Sequence, residues 1–172
     1  MSMTYSMDAI NQLSDAEFVS VLGGIFEHSP WVAQAVATRR PFLSVHDLHA
    51  SMAHAVRSAD EDARLTLIRA HPELAGKAAV RGELTEESTR EQSGAGLNQC
   101  SPEEFTELQR LNAAYNDKFG FPFIIAVRGH DRQSIIRHFA QRLNSDRVTE
   151  MHECIEQIVQ IGGFRLADLI RS

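Results

Sequence analysis

The chain has 172 residues, of which 43% are hydrophobic and 23% charged, and its formal net charge is -6. This length suits one domain with a sizeable core, and the absence of any lysine–arginine block argues against nucleic acid as the main partner. No apolar run is long enough for a membrane helix, and residues 1–12 do not resemble a secretory signal, so we expect a cytoplasmic protein.

Helix-start signals predict four helices in the first 70 residues. Residues 14–17, Ser-Asp-Ala-Glu, form a capping box, in which the serine and the glutamate satisfy free backbone amides at the helix start. Ser29 precedes a proline, a pair that suits the start of a helix, and this helix should end before Pro41. Ser44 can cap a third helix, and a fourth is predicted over about residues 60–70.

The strongest helix start lies at residues 101–104, where a capping box coincides with a proline at the first helical position. This helix should end at Gly120, because glycine readily adopts the left-handed conformation that terminates helices. The apolar run FPFIIAV follows at residues 121–127. Because no comparable second strand exists to pair with it, we predict an extended segment that crosses the floor of a helical domain.

Two further helices complete the predicted fold. One is amphipathic and covers residues 131–143, and the last begins near residue 146. Gly162 and Gly163 should break or kink this last helix. We therefore predict an all-α fold, with a single domain of about eight helices over residues 1–172 and one extended apolar segment.

A group of polar residues in the middle of the chain could form a site. His71 follows a helical stretch, and Pro72 disfavours helical backbone there, which turns the imidazole out of the helix. Ser88, Glu91 and Gln92 share one face of a short helix, because they are spaced i, i+3 and i+4. These side chains could converge on one small polar ligand, with the imidazole as acid or base. The alternatives are a plain helix stop at the histidine and a solvated surface on the short helix.

Other polar residues are weaker candidates for a functional role. Arg165 lies among apolar residues and could present its guanidinium to a carboxylate or a ring carbonyl, or could pair with Asp168. His46 and His49 are three residues apart on one predicted helix, but the spacing supplies no third ligand, so we expect no metal. The two cysteines form no CxxC pattern, and no nucleotide-binding or zinc-protease motif is present.

Four motifs occur together along the chain: HPELA at 71–75, LTEESTREQSGAGL at 84–97, LNAAY at 111–115 and FGFPFIIAVRG at 119–129. Their combination resembles the family of OHCU decarboxylase, the enzyme that acts on 2-oxo-4-hydroxy-4-carboxy-5-ureidoimidazoline (OHCU) in urate breakdown. The resemblance implies an all-helical, cofactor-free lyase, commonly a homodimer. Such an enzyme would convert OHCU to (S)-allantoin and CO2.

The resemblance also implies roles for individual residues. His71 is the implied proton donor, and Glu91 is the second implied catalytic residue. A helical binding module without catalysis is an alternative, as is hydrolysis of 5-hydroxyisourate, although that chemistry belongs to a transthyretin-like fold whose strand pattern is absent here. The substrate-contacting positions implied by the resemblance are Pro72, Ser88, Thr89, Arg90, Glu91, Gln92, Phe123, Ile124, Ile125, Ala126, Val127 and Arg165.

Overall fold

The computed structural model describes residues 4–171, with the backbone alone at positions 77 and 78. Most of the described residues are helical, so the predicted all-α class is confirmed. Two short strands, β1 (Tyr5–Ser6) and β2 (Ile170–Arg171), pair in parallel. No helix within the described range is long and apolar enough to cross a membrane. The helices are α1 (Met7–Gln12), α2 (Asp15–Leu22), α3 (Trp31–Ala37), α4 (Val45–Ser58), α5 (Glu61–Ala70), α6 (Lys77–Val80), α7 (Glu86–Gly94), α8 (Pro102–Phe119), α9 (Arg132–Arg142) and α10 (Arg147–Leu169), with a 3-10 turn at Leu97–Gln99.

These elements group into two compact units. The first unit contains residues 4–70 and 158–171 of the described range, and the second contains residues 71–157. The division therefore falls within α10, whose first part belongs to the second unit. The prediction of a single domain over residues 1–172 stays a prediction.

Helix caps organise the first unit, in which α3 packs against α2 and α4. The predicted capping box is confirmed at α2, where the Glu17 N–H donates to Ser14 Oγ at 3.1 Å and the Ser14 N–H donates to Glu17 Oε1 at 3.0 Å. Ser44 caps α4 as predicted. The prediction that Ser29 caps the next helix is wrong. Its hydroxyl instead donates to the Glu27 carbonyl at 2.8 Å, and α3 starts without a side-chain cap.

The predicted break in the last helix is also wrong, because α10 continues through both glycines, and the alternative of a kink stays a prediction. A Cβ atom on Gly162 would lie 2.8 Å from the ring of Phe26, and one on Gly163 would lie 3.1 Å from the ring of His49. The two glycines therefore allow aromatic and imidazole rings to approach the helix backbone closely. This contact outweighs the low intrinsic helix propensity of glycine.

The second unit is built around α8 and an aromatic cluster. The predicted capping box of Ser101 and the left-handed helix end at Gly120, with φ 80°, are both confirmed. The segment 121–127 that follows is buried throughout and belongs to neither helix nor strand, as predicted. Its aromatic side chains anchor it, because burying a large ring stabilises a segment that lacks a hydrogen-bonded ladder. The rings that contact Tyr115 are those of Phe119, Phe121, Phe123 and Phe139.

Candidate active site

His71 begins an irregular loop over residues 71–76. Helix α5 ends at Ala70, as the following proline predicts. The imidazole residue is only 7% exposed, so it does not lie on a solvated surface. Pro72 is half-buried, and its ring restricts the backbone on both sides of the peptide bond. His71 is therefore a buried titratable group on a locally stiff backbone.

Side-chain amides hold the far end of this loop. Ala75 has φ 50°, a left-handed conformation that costs a non-glycine residue about 1–2 kcal/mol. Its N–H donates to Oε1 of Gln92 at 2.9 Å, and its carbonyl accepts from Nε2 of Gln109 at 2.8 Å. Nε2 of Gln92 also donates to the Glu73 carbonyl at 3.3 Å. Side chains of α7 and α8 therefore support a backbone conformation that is unfavourable by itself.

Asn112 of α8 supplies one more contact to the same loop. Its Nδ2 donates to the Leu74 carbonyl at 3.0 Å. Asn112 is 2% exposed, and its Oδ1 has no hydrogen-bond partner among the described residues. A buried acceptor without a partner costs about 1–3 kcal/mol. The contact to the loop is thus made although it leaves one polar atom of the same side chain unsatisfied.

Helix α7 presents a buried polar face. Ser88 and Gln92 are 4% and 7% exposed, and Glu91 is half-buried. Thr89 and Arg90 are exposed, and the prediction that they contact substrate stays a prediction. Residues one and two positions along a helix point in different directions, which accounts for this separation. The face is therefore not the solvated surface that the sequence left open as an alternative.

Gln92 does more than the sequence indicated. Both ends of its amide bond to the His71 loop, at Glu73 and Ala75. A primary amide has two donor hydrogens and two acceptor lone pairs, so one of each remains for a ligand. The predicted contact between Gln92 and a substrate stays a prediction, now beside an observed structural role.

A cavity of about 510 Å³ lies beside α7. Its lining includes Thr89, Gln92, Cys100 and Phe105, and most of the other lining residues are apolar. Within the described residues the lining does not include Ser88 or Glu91. Of the buried polar face, the cavity therefore adjoins Gln92, and Thr89 lines the same cavity.

The extended segment offers backbone groups in an alternating pattern. The Ile124 carbonyl accepts from Nη1 of Arg142 at 2.6 Å, and the Ala126 N–H donates to Oε1 of Gln157 at 2.9 Å. Within residues 4–171, the backbone groups of Ile125 take part in no hydrogen bond. Successive peptide groups of an extended chain point in opposite directions. The segment is thus hydrogen bonded to α9 and α10 through Ile124 and Ala126, while the backbone groups of Ile125 make no such bond within the described residues.

A buried ionic network formed by side chains of α8, α9 and α10 contacts this segment through Arg142. Nε of Arg142 donates to Glu150 Oε1 at 2.8 Å, and the Tyr115 hydroxyl donates to the same oxygen at 2.7 Å. The guanidinium carbon of Arg142 also lies 4.4 Å from the centroid of the Phe123 ring. Burial raises the pKa of the Tyr115 phenol far above its usual value, so the hydroxyl stays a neutral donor. Burial likewise raises the pKa of the neighbouring Cys154 thiol.

Arg165 belongs to the first unit and is 5% exposed. Its Nη2 lies 3.0 Å from Glu27 Oε2, and its Nη1 donates to the Gly24 carbonyl at 3.2 Å. Arg165 thus forms an ion pair with Glu27, 138 positions away, a partner that the sequence did not indicate, and the alternative of a pair with Asp168 stays a prediction. The prediction that Arg165 contacts the substrate stays a prediction.

The two histidines that we considered as metal ligands lie in different environments. His46 is exposed, whereas Nε2 of His49 lies 2.8 Å from the Val159 carbonyl. In the part of the chain that the structure describes, no three histidine, cysteine or acidic residues are grouped in a way that could hold a metal ion. The expectation of a metal-free protein is not tested by this arrangement.

Several supporting residues were missed by the sequence reasoning. Gln109 carries one available signal, since it lies three positions before Asn112 in the LNAAY motif and so shares its helix face. Arg142 and Glu150 carry no such signal. They lie on different helices and pair only in the folded chain.

The fold and these contacts define an all-helical protein in which a loop that begins at the buried His71 hydrogen bonds to the buried Gln92 of α7. The sequence model of the OHCU decarboxylase family matches residues 11–167. The chain therefore belongs to the OHCU decarboxylase family.

Individual relatives agree with this assignment. The chain is 42% identical to the uric acid degradation bifunctional protein PucL of Bacillus subtilis (strain 168), over 96% of this chain and 33% of that protein. It is 36% identical to the 2-oxo-4-hydroxy-4-carboxy-5-ureidoimidazoline decarboxylase of Haloferax volcanii, over 97% of both. The chain thus spans about a third of the Bacillus protein and nearly all of the Haloferax one.

Solved structures show the same fold. A crystal structure of (S)-allantoin synthase superimposes with a TM-score of 0.79 at 28% identity, covering 96% of this chain and 54% of that one. A structure of OHCU decarboxylase in the presence of (S)-allantoin superimposes with a TM-score of 0.69 at 22% identity, over 91% and 97%. The second comparison bears on the fold alone.

Proposed function

We propose that this protein is a cofactor-independent carboxy-lyase that converts OHCU to (S)-allantoin and CO2 in urate degradation. The observation that carries the proposal is the family match over residues 11–167, joined to the burial of His71 in a loop that hydrogen bonds to the polar face of α7. Three relatives named for this decarboxylation share 36–39% identity over nearly the whole chain.

The chemistry needs little beyond positioned polar groups. As the carbon–carboxylate bond breaks, its electron pair passes into the conjugated ring of the substrate, so CO2 can leave without an added electron acceptor. A proton must then reach the ring carbon that becomes chiral. The departing carboxylate should not be gripped tightly, because strong ground-state binding would slow the reaction.

The residues suit these tasks. His71 donates the proton, since an imidazole can carry a transferable proton near neutral pH. Glu91 accepts hydrogen bonds from ring or ureido N–H groups, and Ser88 and the remaining capacity of Gln92 complete the polar contacts. The open backbone groups of Ile125 bind the ring edge, and the buried ionic network behind the segment keeps them in place.

The product and its chirality test the proposal. Purified protein added to freshly generated OHCU should release CO2 and form (S)-allantoin, with deuterium at the chiral carbon in D2O. His71→Asn should lose nearly all of this rate and leave the slow, racemic background reaction. His152→Asn, at an exposed histidine of the same unit, is the matched control and should behave as wild type.

Two results would contradict parts of this proposal. Wild-type protein that binds OHCU without releasing CO2 would point to a binding module. If His71→Asn still made (S)-allantoin at nearly the wild-type rate, another residue would be the proton donor, with Glu91 the next to examine.

We also propose a cytoplasmic homodimer, as the family resemblance implies. Light scattering on the purified protein should give twice the mass of the 19.2 kDa chain. A monomeric mass at assay concentration would contradict the homodimer without touching the proposed chemistry.

A further inference from the structure

We propose that Gln109 and Asn112 of α8, together with Gln92 of α7, are positioning residues that hold the His71 loop in the conformation from which the imidazole delivers its proton. This inference rests on the proposed decarboxylation. It assigns a catalytic consequence to the amide contacts with the loop, which for Gln92 come in addition to its proposed contact with the substrate.

The first observation is that three consecutive carbonyls of the loop are bound by side-chain amides. Glu73, Leu74 and Ala75 accept from Gln92, Asn112 and Gln109 at 3.3, 3.0 and 2.8 Å. Over residues 72–76 of the described chain, the loop's own backbone contributes one internal hydrogen bond, a 3.4 Å contact from the Gly76 N–H to the Glu73 carbonyl. The loop therefore takes its shape from the two helices rather than from its own backbone.

The second observation is the backbone conformation of Ala75. Its φ of 50° is one that L-residues rarely adopt, and both its N–H and its carbonyl are bound by side chains. Loss of either amide contact would let this residue relax toward negative φ. The relaxation would then move the neighbouring peptide groups.

The path from the amides to the imidazole is short and stiff. Only Pro72 separates His71 from Glu73, and the proline ring fixes its own φ and restricts the preceding residue. A shift at residues 73–75 is therefore transmitted to His71. Proton transfer depends steeply on position, and a displacement of about 1 Å can lower a rate by roughly 100-fold.

The effect should fall on the chemical step more than on substrate binding. The backbone segment 121–127 is held separately, by Arg142 and Gln157. Glu91 lies on α7, whose own helical hydrogen bonds do not depend on the loop. Weakening the amide contacts should therefore lower kcat and leave KM nearly unchanged.

Gln109→Glu is the sharpest variant, because a carboxylate has the same shape but cannot donate to the Ala75 carbonyl. Its kcat should fall by roughly 10- to 100-fold with KM within about twofold of wild type. Gln109→Met removes the same donor without adding charge and should behave alike. Gln141→Glu, at an exposed glutamine of α9, is the matched control and should keep the wild-type kcat.

A second substitution tests the conformational part of the inference. Glycine adopts positive φ without a side-chain penalty, so Ala75→Gly should reduce the need for the amide contacts. In the Ala75→Gly background, Gln109→Glu should lower kcat by a smaller factor than it does in the wild-type background. Equal losses in both backgrounds would overturn the inference.

Hydrogen exchange of the loop separates this inference from the proposed function. Without substrate, backbone amides of residues 73–76 should exchange faster in Gln109→Glu than in wild type or Gln141→Glu. Faster exchange with wild-type kcat would overturn the positioning role, and unchanged exchange would overturn the amide contacts themselves. Failure of the wild-type protein to release CO2 would instead count against the decarboxylation, whatever the exchange result.

Discussion

The ionic network behind the extended segment gives a prediction whose size follows from burial. Arg142→Met keeps an apolar stem near the Phe123 ring but removes the charge that pairs with Glu150. The Glu150 side chain is 2% exposed and that of Arg142 is 14% exposed, so little water is available to replace the lost partner. The variant also removes the donor to the Ile124 carbonyl.

Removing one partner of a buried ion pair costs about 3–5 kcal/mol, because the other charge is left without compensation. For a chain of this length each kcal/mol lowers Tm by about 2–4 °C, so Arg142→Met should melt roughly 6–20 °C below wild type. Arg142→Met combined with Glu150→Gln removes both charges and keeps an acceptor for the Tyr115 hydroxyl. The double variant should therefore be more stable than Arg142→Met alone, by about 2 kcal/mol.

Thermal unfolding followed by circular dichroism measures these differences, and steady-state kinetics show whether KM rises as the Ile124 carbonyl loses its donor. Arg137→Met, at an exposed arginine of the same helix, is the control and should stay within about 0.5 kcal/mol of wild type. A loss below about 1 kcal/mol in Arg142→Met would refute the reasoning. So would a double variant less stable than that single one.

Three further predictions concern other parts of the chain. Glu91→Ala should lower kcat/KM by roughly 10- to 1,000-fold with little change in Tm, and wild-type kinetics would mean that this carboxylate does not contact the substrate. Gly162→Ala should destabilise the protein by about 1–3 kcal/mol, because its Cβ would lie 2.8 Å from the Phe26 ring. Gly94→Ala is the control and should not destabilise it, because a Cβ there would have no neighbouring atom within 4 Å. Equal melting temperatures for the two variants would contradict this prediction. The pKa of Glu104 is lowered in the folded state, first by a backbone hydrogen bond from Ser101 and then by the Arg132 side chain. The ionised Glu104 carboxylate therefore stabilises the fold above the unfolded pKa of about 4.3, and this contribution is lost as pH falls through the folded pKa. Glu104→Gln should therefore show a shallower loss of stability than wild type in acid titrations below about pH 5, and parallel curves would exclude this contribution.

Features set by neighbouring residues could be predicted from the sequence alone. The helix starts at Ser14, Ser44 and Ser101 and the helix end at Gly120 all appear where the sequence places them. The end of α5 before His71 is equally local, since the following proline restricts the backbone there. Capping and backbone preferences depend on residues within one helical turn, so no knowledge of the folded chain is needed.

The buried apolar segment after Gly120 could also be predicted, but only as an unpaired stretch. The continuous run of apolar residues predicts that residues 121–127 lie inside the protein. Which of its peptide groups are tied to α9 and α10, and which are open at Ile125, depends on helices that come later in the chain.

Helical spacing has a similar limit at the candidate site. It showed that Ser88, Glu91 and Gln92 share a face, but it could not show what lies opposite that face. Only the tertiary structure brings the Gln92 side chain into hydrogen bonds with Ala75 and Glu73, 17 and 19 positions away. It likewise places the Gln109 side chain on the carbonyl of Ala75, 34 positions away.

The failures of local reasoning have the same cause. The low helix propensity of glycine predicts a break at Gly162. The helix instead continues, because the absence of a side chain at this position lets the Phe26 ring pack against the helix backbone. Arg165 pairs with Glu27 across 138 positions, a distance at which sequence spacing carries no information. Local backbone preferences are set by adjacent residues, whereas the partner of a buried charge or the neighbour of a buried ring is set by which surfaces the whole chain brings into contact.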